Sequence, residues 1–259
     1  MYAFDIERPA TLDEAVRALS GEAQALGGGQ TLIPTLKARL ASPDKLVSLG
    51  NVAEMRGISS AGGVLTIGGA TVHADVAADG TYTALSELAS NIGDPAVRSR
   101  GTIGGSIANN DPAACYPAAA LASGATIVTN TREIAADDYF QGMFETALEE
   151  GEIVTAVKFP IPEKANYQKF VQPASRFALV GVFVAKTAQG VRVAVTGASN
   201  EGVHRWRAAE EALSANFSPA ALDGLTVSAD DMISDLHGSP EYRAHLVKVM
   251  TSRAVAAAS

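Results

Sequence analysis

Two glycine-rich segments, far apart along the chain, constrain this sequence more than any other feature. The first glycine segment, residues 27–31, reads Gly-Gly-Gly-Gln-Thr, and the second glycine segment, residues 98–112, contains Gly101, Gly104 and Gly105. Glycine lacks a Cβ and adopts positive φ angles readily, so successive backbone N–H groups can converge on an anion. Either segment alone is more often an ordinary turn. Two in one domain suit a diphosphate, with one anion-binding turn on each side.

The flanks of the first glycine segment predict a strand, a loop and a helix. Residues 23–26 form a short apolar stretch typical of a strand. Beyond the glycines, Leu32, Leu36 and Leu40 recur at four-residue spacing, and Pro34 suits the first turn of a helix. The free N–H groups at the start of that helix would add donors beside the loop.

Standard nucleotide-binding motifs are absent from both segments. The P-loop pattern G-x-x-x-x-G-K-[ST] is missing, because Lys37 lies well inside the predicted helix. Neither segment fits G-x-G-x-x-G, and the second continues as Asn-Asn-Asp-Pro where a Rossmann helix would continue. A Rossmann fold is therefore disfavoured, although a dinucleotide ligand, which such a fold would bind, still fits.

The sequence offers no convincing set of residues for substrate chemistry. It has no G-x-S-x-G motif, which disfavours a serine hydrolase. The single cysteine, Cys115, excludes an internal disulfide and a cysteine-based zinc or iron–sulfur site, and its apolar neighbours favour a buried hydrophobe over a nucleophile. Arg98 and Arg100 flank the second glycine segment, where they could offset the charge of a diphosphate or simply be solvated. The histidines lack metal-ligand spacing, which favours surface or structural roles for His73, His204, His237 and His245.

Composition limits the class of protein. Apolar residues make up 47% of the chain, which is enough to bury a core. Acidic residues outnumber basic ones by 28 to 20, and the resulting net charge of −8 disfavours nucleic-acid binding. The first residues do not resemble a signal peptide, and no apolar stretch is long enough to span a bilayer. With one cysteine, these features predict a soluble protein of the reducing cytoplasm.

Prolines mark the predicted domain boundary. Pro160 and Pro162 end a predicted strand over residues 152–159, so the first domain is expected to cover residues 1–162. Residues 163–259 predict a small α+β unit in which strands precede helices. Its expected strands are 167–171, 178–186 and 191–196, the last two joined by a hairpin at Gln189-Gly190, and its expected helices are 204–214 and 240–257.

Taken together, the two glycine segments resemble a known family. Residues 25–40, ALGGGQTLIPTLKARL, are similar to the first FAD motif of the FAD-binding medium subunits of molybdenum hydroxylases. Residues 98–108, RSRGTIGGSIA, followed by Asp111-Pro112, are similar to the second motif. Residues 169–176 and 237–243 extend the resemblance over essentially the whole chain. The chain thus resembles the xanthine dehydrogenase family and, within it, the medium chains of aerobic carbon monoxide dehydrogenases.

The resemblance implies an α+β fold. It consists of a p-cresol methylhydroxylase-type FAD-binding domain of two subdomains, about residues 1–55 and 56–162. A small C-terminal α/β sandwich domain follows over residues 163–259, like that of the carbon monoxide dehydrogenase flavoproteins.

The resemblance also implies which residues hold FAD, and it implies no catalytic or metal-binding residue. The two motifs would hold the diphosphate and adjoining groups, Gly93 and Asn109 would line the nucleotide, and Val154 would contact the flavin through its backbone. Lys169 would lie near the flavin ring and raise its potential by its charge, and Phe177 would border the ring. The implied FAD-binding residues are Leu26, Gly27, Gly28, Gly29, Gln30, Thr31, Leu32, Ile33, Gly93, Thr102, Ile103, Gly104, Gly105, Ser106, Asn109, Cys115, Val154 and Lys169.

One residue departs from the family pattern. Many relatives read Asp-Pro-x-x-Asp-x-Pro, and their second aspartate contacts the adenosine part of FAD. Here Cys115 stands at that position. A thiol is a poor hydrogen-bond acceptor, so the resemblance predicts weaker retention of FAD than in those relatives.

The implied function is electron transfer within a larger enzyme. In the family, a molybdenum–pterin centre on a large subunit oxidises the substrate, and two [2Fe–2S] clusters on a small subunit pass electrons to FAD on the medium chain and on to an external acceptor. A dimer of such heterotrimers is expected. Two alternatives remain: a self-contained flavin oxidase of the same fold superfamily, for which residues 163–259 are a small substrate domain, and a non-redox nucleotide-binding module.

Overall fold

A computed structural model of the chain describes residues 1–258, so Ser259, the last residue of the predicted C-terminal domain, lies outside the described residues. The strands are β1 (Asp5–Glu7), β2 (Ala23–Leu26), β3 (Lys45–Ser48), β4 (Ile58–Ala61), β5 (Val64–Gly68), β6 (Thr126–Thr129), β7 (Glu133–Ala135), β8 (Phe140–Gly142), β9 (Glu145–Thr146), β10 (Val154–Pro160), β11 (Lys164–Val171), β12 (Ala178–Thr187), β13 (Gly190–Ser199) and β14 (Gly202–Arg205). The α-helices are α1 (Leu12–Ala18), α2 (Leu32–Lys37), α3 (His73–Asp79), α4 (Thr83–Ser90), α5 (Pro95–Arg98), α6 (Ile103–Asn109), α7 (Tyr116–Ser123), α8 (Ala136–Tyr139), α9 (Arg207–Ala215) and α10 (Pro240–Ala257). Short 3₁₀ turns cover Leu49–Asn51, Ala53–Met55 and Pro219–Leu222.

The N-terminal part of the chain forms a parallel sheet of three strands in the order β1-β3-β2. Helix α1 packs on this sheet and begins with a capping box, in which Thr11 accepts from the Glu14 backbone N–H and Glu14 reaches back to Thr11. This arrangement satisfies free N–H groups at the helix start. Strand β2 ends at Leu26, so the first glycine segment leaves the sheet directly from its edge.

Residues 58–160 form an antiparallel sheet of five strands in the order β4-β5-β10-β6-β7. Its central strand, β10, pairs with β5 on one side and β6 on the other. Helices α4, α6 and α7 pack in one hydrophobic core with this sheet. Helix α6 contacts β10 and β5 of this sheet.

Helix α7 lies between two sheets. Every residue of the helix is buried, and four of its eight residues are alanine. It contacts β10 of the five-stranded sheet and β12, β13 and β14 of the C-terminal sheet. Small side chains allow close approach on both sides, so the two sheets share one core that includes Phe159 and Phe183.

The C-terminal part is an antiparallel sheet of four strands, β11-β12-β13-β14, with α9 and α10 covering its other face. The predicted hairpin joins β12 and β13, and Ser239 caps α10 through its hydroxyl as its sequence position indicates. The predicted helix from residue 204 is wrong at its start. Residues 202–205 pair with β13 as strand β14, and the helix begins only at Arg207.

Two helix predictions near the glycine segments need correction. Helix α2 ends at Lys37 rather than near Leu40, because Arg39 has a left-handed φ of 59° and the Leu40 N–H bonds back to the Thr35 carbonyl. The glycines of the second segment are not all in a loop. Gly104 and Gly105 lie in the first turn of α6, whose N-cap Thr102 accepts from the Gly105 N–H.

Candidate functional site

The two glycine segments touch each other. A Cβ at Gly28 would overlap the Arg100 carbonyl oxygen and lie 2.5 Å from Gly101 Cα, and a Cβ at Gly27 would lie 2.9 Å from Thr102 Oγ1. Real Cβ atoms are not found this close to other heavy atoms, so only glycine permits this approach of the two backbones. The structure therefore brings the two predicted segments together at one place.

A single cavity of about 630 Å³ opens where the segments meet. Its size lies within the range of small-molecule and cofactor sites. Most predicted site residues are on its wall: Gly27, Gly28, Gly29, Gln30, Thr31, Leu32, Gly93, Thr102, Gly104, Gly105, Ser106, Asn109, Cys115, Val154 and Lys169. Phe177, exposed at the start of β12, is also there.

Three predicted site residues are placed behind the wall. Ile103 is fully buried in the core under α6. Leu26 and Ile33 flank Gly29, where their side chains lie 3.4 Å and 3.0 Å from the position of a Cβ. These three side chains therefore support the glycine backbone rather than line the cavity.

The first glycine segment provides a run of free backbone donors. No N–H group of residues 28–32 has an acceptor among residues 1–258. Gly29 has a φ of 73°, a conformation that glycine adopts without strain, and it turns the chain between β2 and α2. Successive free N–H groups in such a turn suit an anion.

The second glycine segment does not provide the matching run of donors that its sequence predicts. The Ile103 N–H bonds to the Thr71 carbonyl, and the Gly104 N–H bonds to the Gly69 carbonyl, 2.9 Å away. The Gly105 N–H is taken by the cap of Thr102. The expected pair of opposed anion-binding turns is therefore wrong: the second segment uses its N–H groups to fix α6 on the sheet.

Polar side chains complete the second side of the cavity. Ser106 and Asn109, on the exposed side of α6, have no hydrogen-bond partner for their side chains within the described part of the chain, 1–258. Asn110, which follows them, has a φ of 42° and donates to the Gly142 and Glu145 carbonyls. This bond ties the end of α6 to the β8–β9 hairpin.

Two cations fix the turn after α4. Lys169 Nζ, at the cavity wall, donates to the Asn91 carbonyl at 2.9 Å. Arg98 donates to the Ile92 and Gly93 carbonyls, each at 3.1 Å. Arg98 is not on the cavity wall, so it holds the Gly93 turn in place rather than facing a bound diphosphate.

Sequence reasoning missed two titratable residues at the wall. His73, set aside as surface or structural, has a pKa lowered to about 4 by burial and by the charge of Arg98, so it is neutral at physiological pH. Burial raises the pKa of Asp111 above its ordinary value. The hydrogen bond that its carboxylate accepts from the Ala113 N–H lowers the pKa, but by less. His73 stands in no spacing that marks a site, whereas Asp111 belongs to the Asp111-Pro112 pair after the second motif and is not among the predicted site residues.

Cys115 is buried at the wall beside two tyrosine hydroxyls that lack partners. Tyr116 Oη and Tyr167 Oη are both buried without a hydrogen bond. Burial is the main cause that raises the pKa of Tyr167 well above its ordinary value, and the neighbouring Cys115 thiol adds to this effect. The segment that carries Cys115 is held from the other side, because Thr196 Oγ1 lies within hydrogen-bond distance of the Pro112 and Ala114 carbonyls and shares its one O–H between them.

These groups fit the FAD that the sequence implies. The first segment offers free N–H groups beside a cradle that any Cβ would fill, and Ser106, Asn109 and Lys169 add polar side chains. Within residues 1–258, no group of three or more histidine, cysteine, aspartate or glutamate side chains could hold a metal ion. The cavity is therefore suited to a diphosphate-bearing organic cofactor.

Comparison with known proteins decides the family. Residues 2–162 match the family described as FAD binding domain in molybdopterin dehydrogenase. The chain belongs to this family. The carbon monoxide dehydrogenase medium chain of Afipia carboxidovorans is 34% identical and covers 98% of this chain and 96% of that protein. The glyceraldehyde dehydrogenase medium chain of Sulfolobus acidocaldarius is 30% identical and covers 97% of this chain and 96% of that protein.

Solved structures agree with the family assignment. A chain of reconstituted CO dehydrogenase from Oligotropha carboxidovorans superimposes with a TM-score of 0.89 and 31% identity, covering 98% of this chain and 97% of that chain. The resemblance drawn from the two glycine segments is confirmed, and with it the α+β fold. This molybdenum hydroxylase medium subunit is an oxidoreductase subunit that carries FAD and transfers electrons. None of the helices in residues 1–258 is both long and apolar enough to cross a membrane.

Proposed function

We propose that the cavity between the two glycine segments is the FAD site of this subunit. The observation that carries the proposal is the contact of Gly28 with Arg100 and Gly101, which aligns the free N–H groups of residues 28–32 with the cavity. These N–H groups would bind the diphosphate oxygens. Ser106 and Asn109 would donate to the same end of the cofactor from α6.

Bound FAD supplies a centre that accepts electrons singly and releases them singly or in pairs. The chain's own residues bind and orient it. Lys169, held by the Asn91 carbonyl, keeps a positive charge at the wall, and a charge there favours the reduced cofactor. Val154, at the start of β10, and Phe177, just before β12, border the cavity. His73 stays neutral and buried, so it adds no charge.

The proposal extends to the assembly. Electrons would come from [2Fe–2S] clusters of a small partner subunit, after substrate oxidation at a molybdenum–pterin centre on a large partner subunit, and leave to an external acceptor. We propose a dimer of such heterotrimers in the cytoplasm, most like a carbon monoxide dehydrogenase. The names of the medium-chain relatives and the single cysteine of this chain support these points. We also propose that residues 1–162 and 163–259 are its domains.

The competing proposal, a self-contained flavin oxidase, predicts turnover without partners. The test mixes the FAD-loaded chain, without oxygen, first with carbon monoxide or glyceraldehyde and then with the reduced [2Fe–2S] subunit. We expect the flavin absorbance to persist with each substrate and to bleach on addition of the reduced subunit. Bleaching by a substrate alone would favour the oxidase, and no bleaching by the reduced subunit would contradict the electron-transfer role of this site.

A further inference from the structure

A fully hydrogen-bonded carboxylate lies at one wall of the cavity. The Glu152 side chain is only 2% exposed. Its Oε1 accepts from Thr129 Oγ1 at 2.8 Å, Thr131 Oγ1 at 2.7 Å and Arg132 Nε at 2.9 Å. Its Oε2 accepts from Arg132 Nη2 at 2.9 Å and from the Glu149 N–H at 2.8 Å. Five donors therefore converge on one side chain that the proposed function does not use.

The donors belong mainly to one turn, residues 129–132, which follows β6. Asn130 of this turn holds the residue after Glu152 as well, through both its side chain and its backbone. Asn130 Oδ1 accepts from the Ile153 N–H at 2.7 Å, and the Asn130 N–H donates to the Ile153 carbonyl at 3.2 Å. The turn thus holds two successive residues: Glu152 through the Glu152 side chain, and Ile153 through the Ile153 backbone.

The clamped residues lead directly into the cavity wall. Ile153 and Val154 both line the cavity and are buried. The register of β10 against β6 shifts between Val154 and Ala156, so the ladder alone does not fix the backbone at this point. The position of the wall therefore depends on the turn, and the turn is joined to the wall through Glu152 and Asn130.

A carboxylate in this environment has one stable arrangement. The bonds from Arg132 hold the pKa of Glu152 well below its ordinary value, although burial opposes them, and the Glu149 N–H and the threonine hydroxyls add to the effect. Most of the donors are exposed, with the Arg132 side chain 40% exposed, and only Thr129 is buried. Replacing the carboxylate by a neutral amide weakens the charge-assisted bonds from Arg132 and leaves the turn less firmly attached. The network is therefore rigid as long as Glu152 is ionised.

We infer that Glu152 is a positioning residue for the cofactor, which fixes the Ile153–Val154 backbone against which FAD rests by anchoring it to the turn of residues 129–132. This inference rests on the proposed FAD site. Glu152 makes no contact with the cofactor in this role. It acts through the backbone of the two residues that follow it.

The same sheet offers a matched control. Glu133 on β7 pairs with Lys158 on β10, as Glu152 pairs with Arg132. The Glu133 and Lys158 side chains are 55% and 38% exposed, and neither residue lines the cavity. Glu133→Gln therefore removes a carboxylate from an ion pair of this sheet without touching the wall.

The test compares Glu152→Gln and Glu133→Gln in the full chain, at a temperature where circular dichroism shows both to be folded. FAD is titrated by fluorescence, and hydrogen exchange is followed in residues 151–155. We expect the Kd for FAD to rise about tenfold, or by ~1.4 kcal/mol of binding free energy, in Glu152→Gln and to stay unchanged in Glu133→Gln. Exchange of the Ile153 amide should accelerate only in Glu152→Gln.

An unchanged Kd in folded Glu152→Gln would overturn the inference, even if the melting temperature falls. A merely structural role would lower the melting temperature and leave the Kd for FAD unchanged. If Glu152→Gln does not fold, Thr131→Val decides by the same measurements, since it deletes one donor from an exposed position. If the unaltered chain binds no FAD, the proposed function has failed and the inference falls with it. If the unaltered chain and Glu152→Gln bind FAD with the same Kd, the inference about Glu152 is rejected and the proposed FAD site stands.

Discussion

Single residues decide how closely the two glycine segments approach. Gly28 does not have a positive φ, so its conformation is open to any residue. Glycine is required there because the Arg100 carbonyl occupies the space of a side chain. Gly29 is required for the opposite reason, because its φ of 73° disfavours other residues while the space near it is less restricted.

Gly28→Ala should separate the two segments and abolish FAD binding. The new methyl group would push against backbone, which cannot rotate away, and overpacking of this kind costs roughly 1–3 kcal/mol of stability. Urea unfolding and an FAD titration would measure both effects. Gly224→Ala is the control, because a Cβ at Gly224 meets nothing within 4 Å. Unaltered FAD binding in Gly28→Ala would show that the contact of the segments does not form the site.

Cys115→Asp should tighten FAD binding. The resemblance to the family implies a carboxylate at this position, and the Tyr167 hydroxyl beside Cys115 has no partner and could donate to it. A carboxylate accepts hydrogen bonds far better than a thiol. The Kd for FAD should therefore fall in Cys115→Asp and remain close to that of the unaltered chain in Cys115→Ser. Weaker binding of FAD by Cys115→Asp would contradict the prediction that Cys115 weakens the retention of FAD.

At the level of elements, the sequence predicts local structure well and non-local structure poorly. Strand β2 has the predicted bounds of residues 23–26, and α10 has the predicted bounds of residues 240–257, because periodicity and capping residues lie within these elements. The sequence predicts a helix from residue 204, which overlaps the end of strand β14, because this short strand is defined by its pairing with β13 and not by a local pattern. The sequence likewise predicts a loop at the start of α6, because the contacts that hold this helix turn come from Gly69 and Thr71, far away in the sequence.

In helix α6, the glycines of the second segment serve packing rather than anion binding. A Cβ at Gly104 would lie 2.6 Å from the Gly69 carbonyl oxygen, so glycine serves the packing of the helix on the end of β5. Composition alone cannot distinguish this use of glycine from an anion-binding turn. The glycines in the sequence therefore predict where the candidate site lies. Only the structure shows that the first segment offers free N–H groups and that the second fixes α6.

Thr102→Ala should destabilise α6 and weaken FAD binding together. Thr102 Oγ1 caps the helix through the Gly105 N–H, and loss of such a cap costs about 0.5–2 kcal/mol. Thermal unfolding and FAD titration would measure the two effects. Thr102→Ser keeps the hydroxyl and should preserve both properties. Equal stability of Thr102→Ala and the unaltered chain would show that the cap does not hold α6.

At the level of the whole molecule, the cavity depends on how the C-terminal sheet packs on the rest of the chain. Helix α7 joins the sheets through apolar packing, and an ion-pair cluster joins them at the surface. Asp137 on α8 accepts from Arg192 on β13 and Arg205 on β14. Burial would raise the pKa of Asp137, but the bonds and charges of these two arginines outweigh it and keep the pKa below 3.8.

Asp137→Asn should reduce stability by about 1 kcal/mol or less at neutral pH, because the carboxylate is partly exposed and screened. A lowered pKa in the folded state means that ionised Asp137 stabilises the fold above pH 3.8 and that this contribution is lost as the pH falls through the folded pKa. The difference between the two proteins should therefore shrink below pH 3.8. Urea unfolding across this range would measure it, and a difference that grows in acid would contradict the assignment.

The central claim, that two glycine segments form one FAD site, is tested most directly by equilibrium titration of the purified chain with FAD. The account predicts saturable binding of one FAD per chain, with quenching of flavin fluorescence, and loss of this binding in Gly28→Ala. A folded chain that binds no FAD when the cofactor is in excess would contradict it.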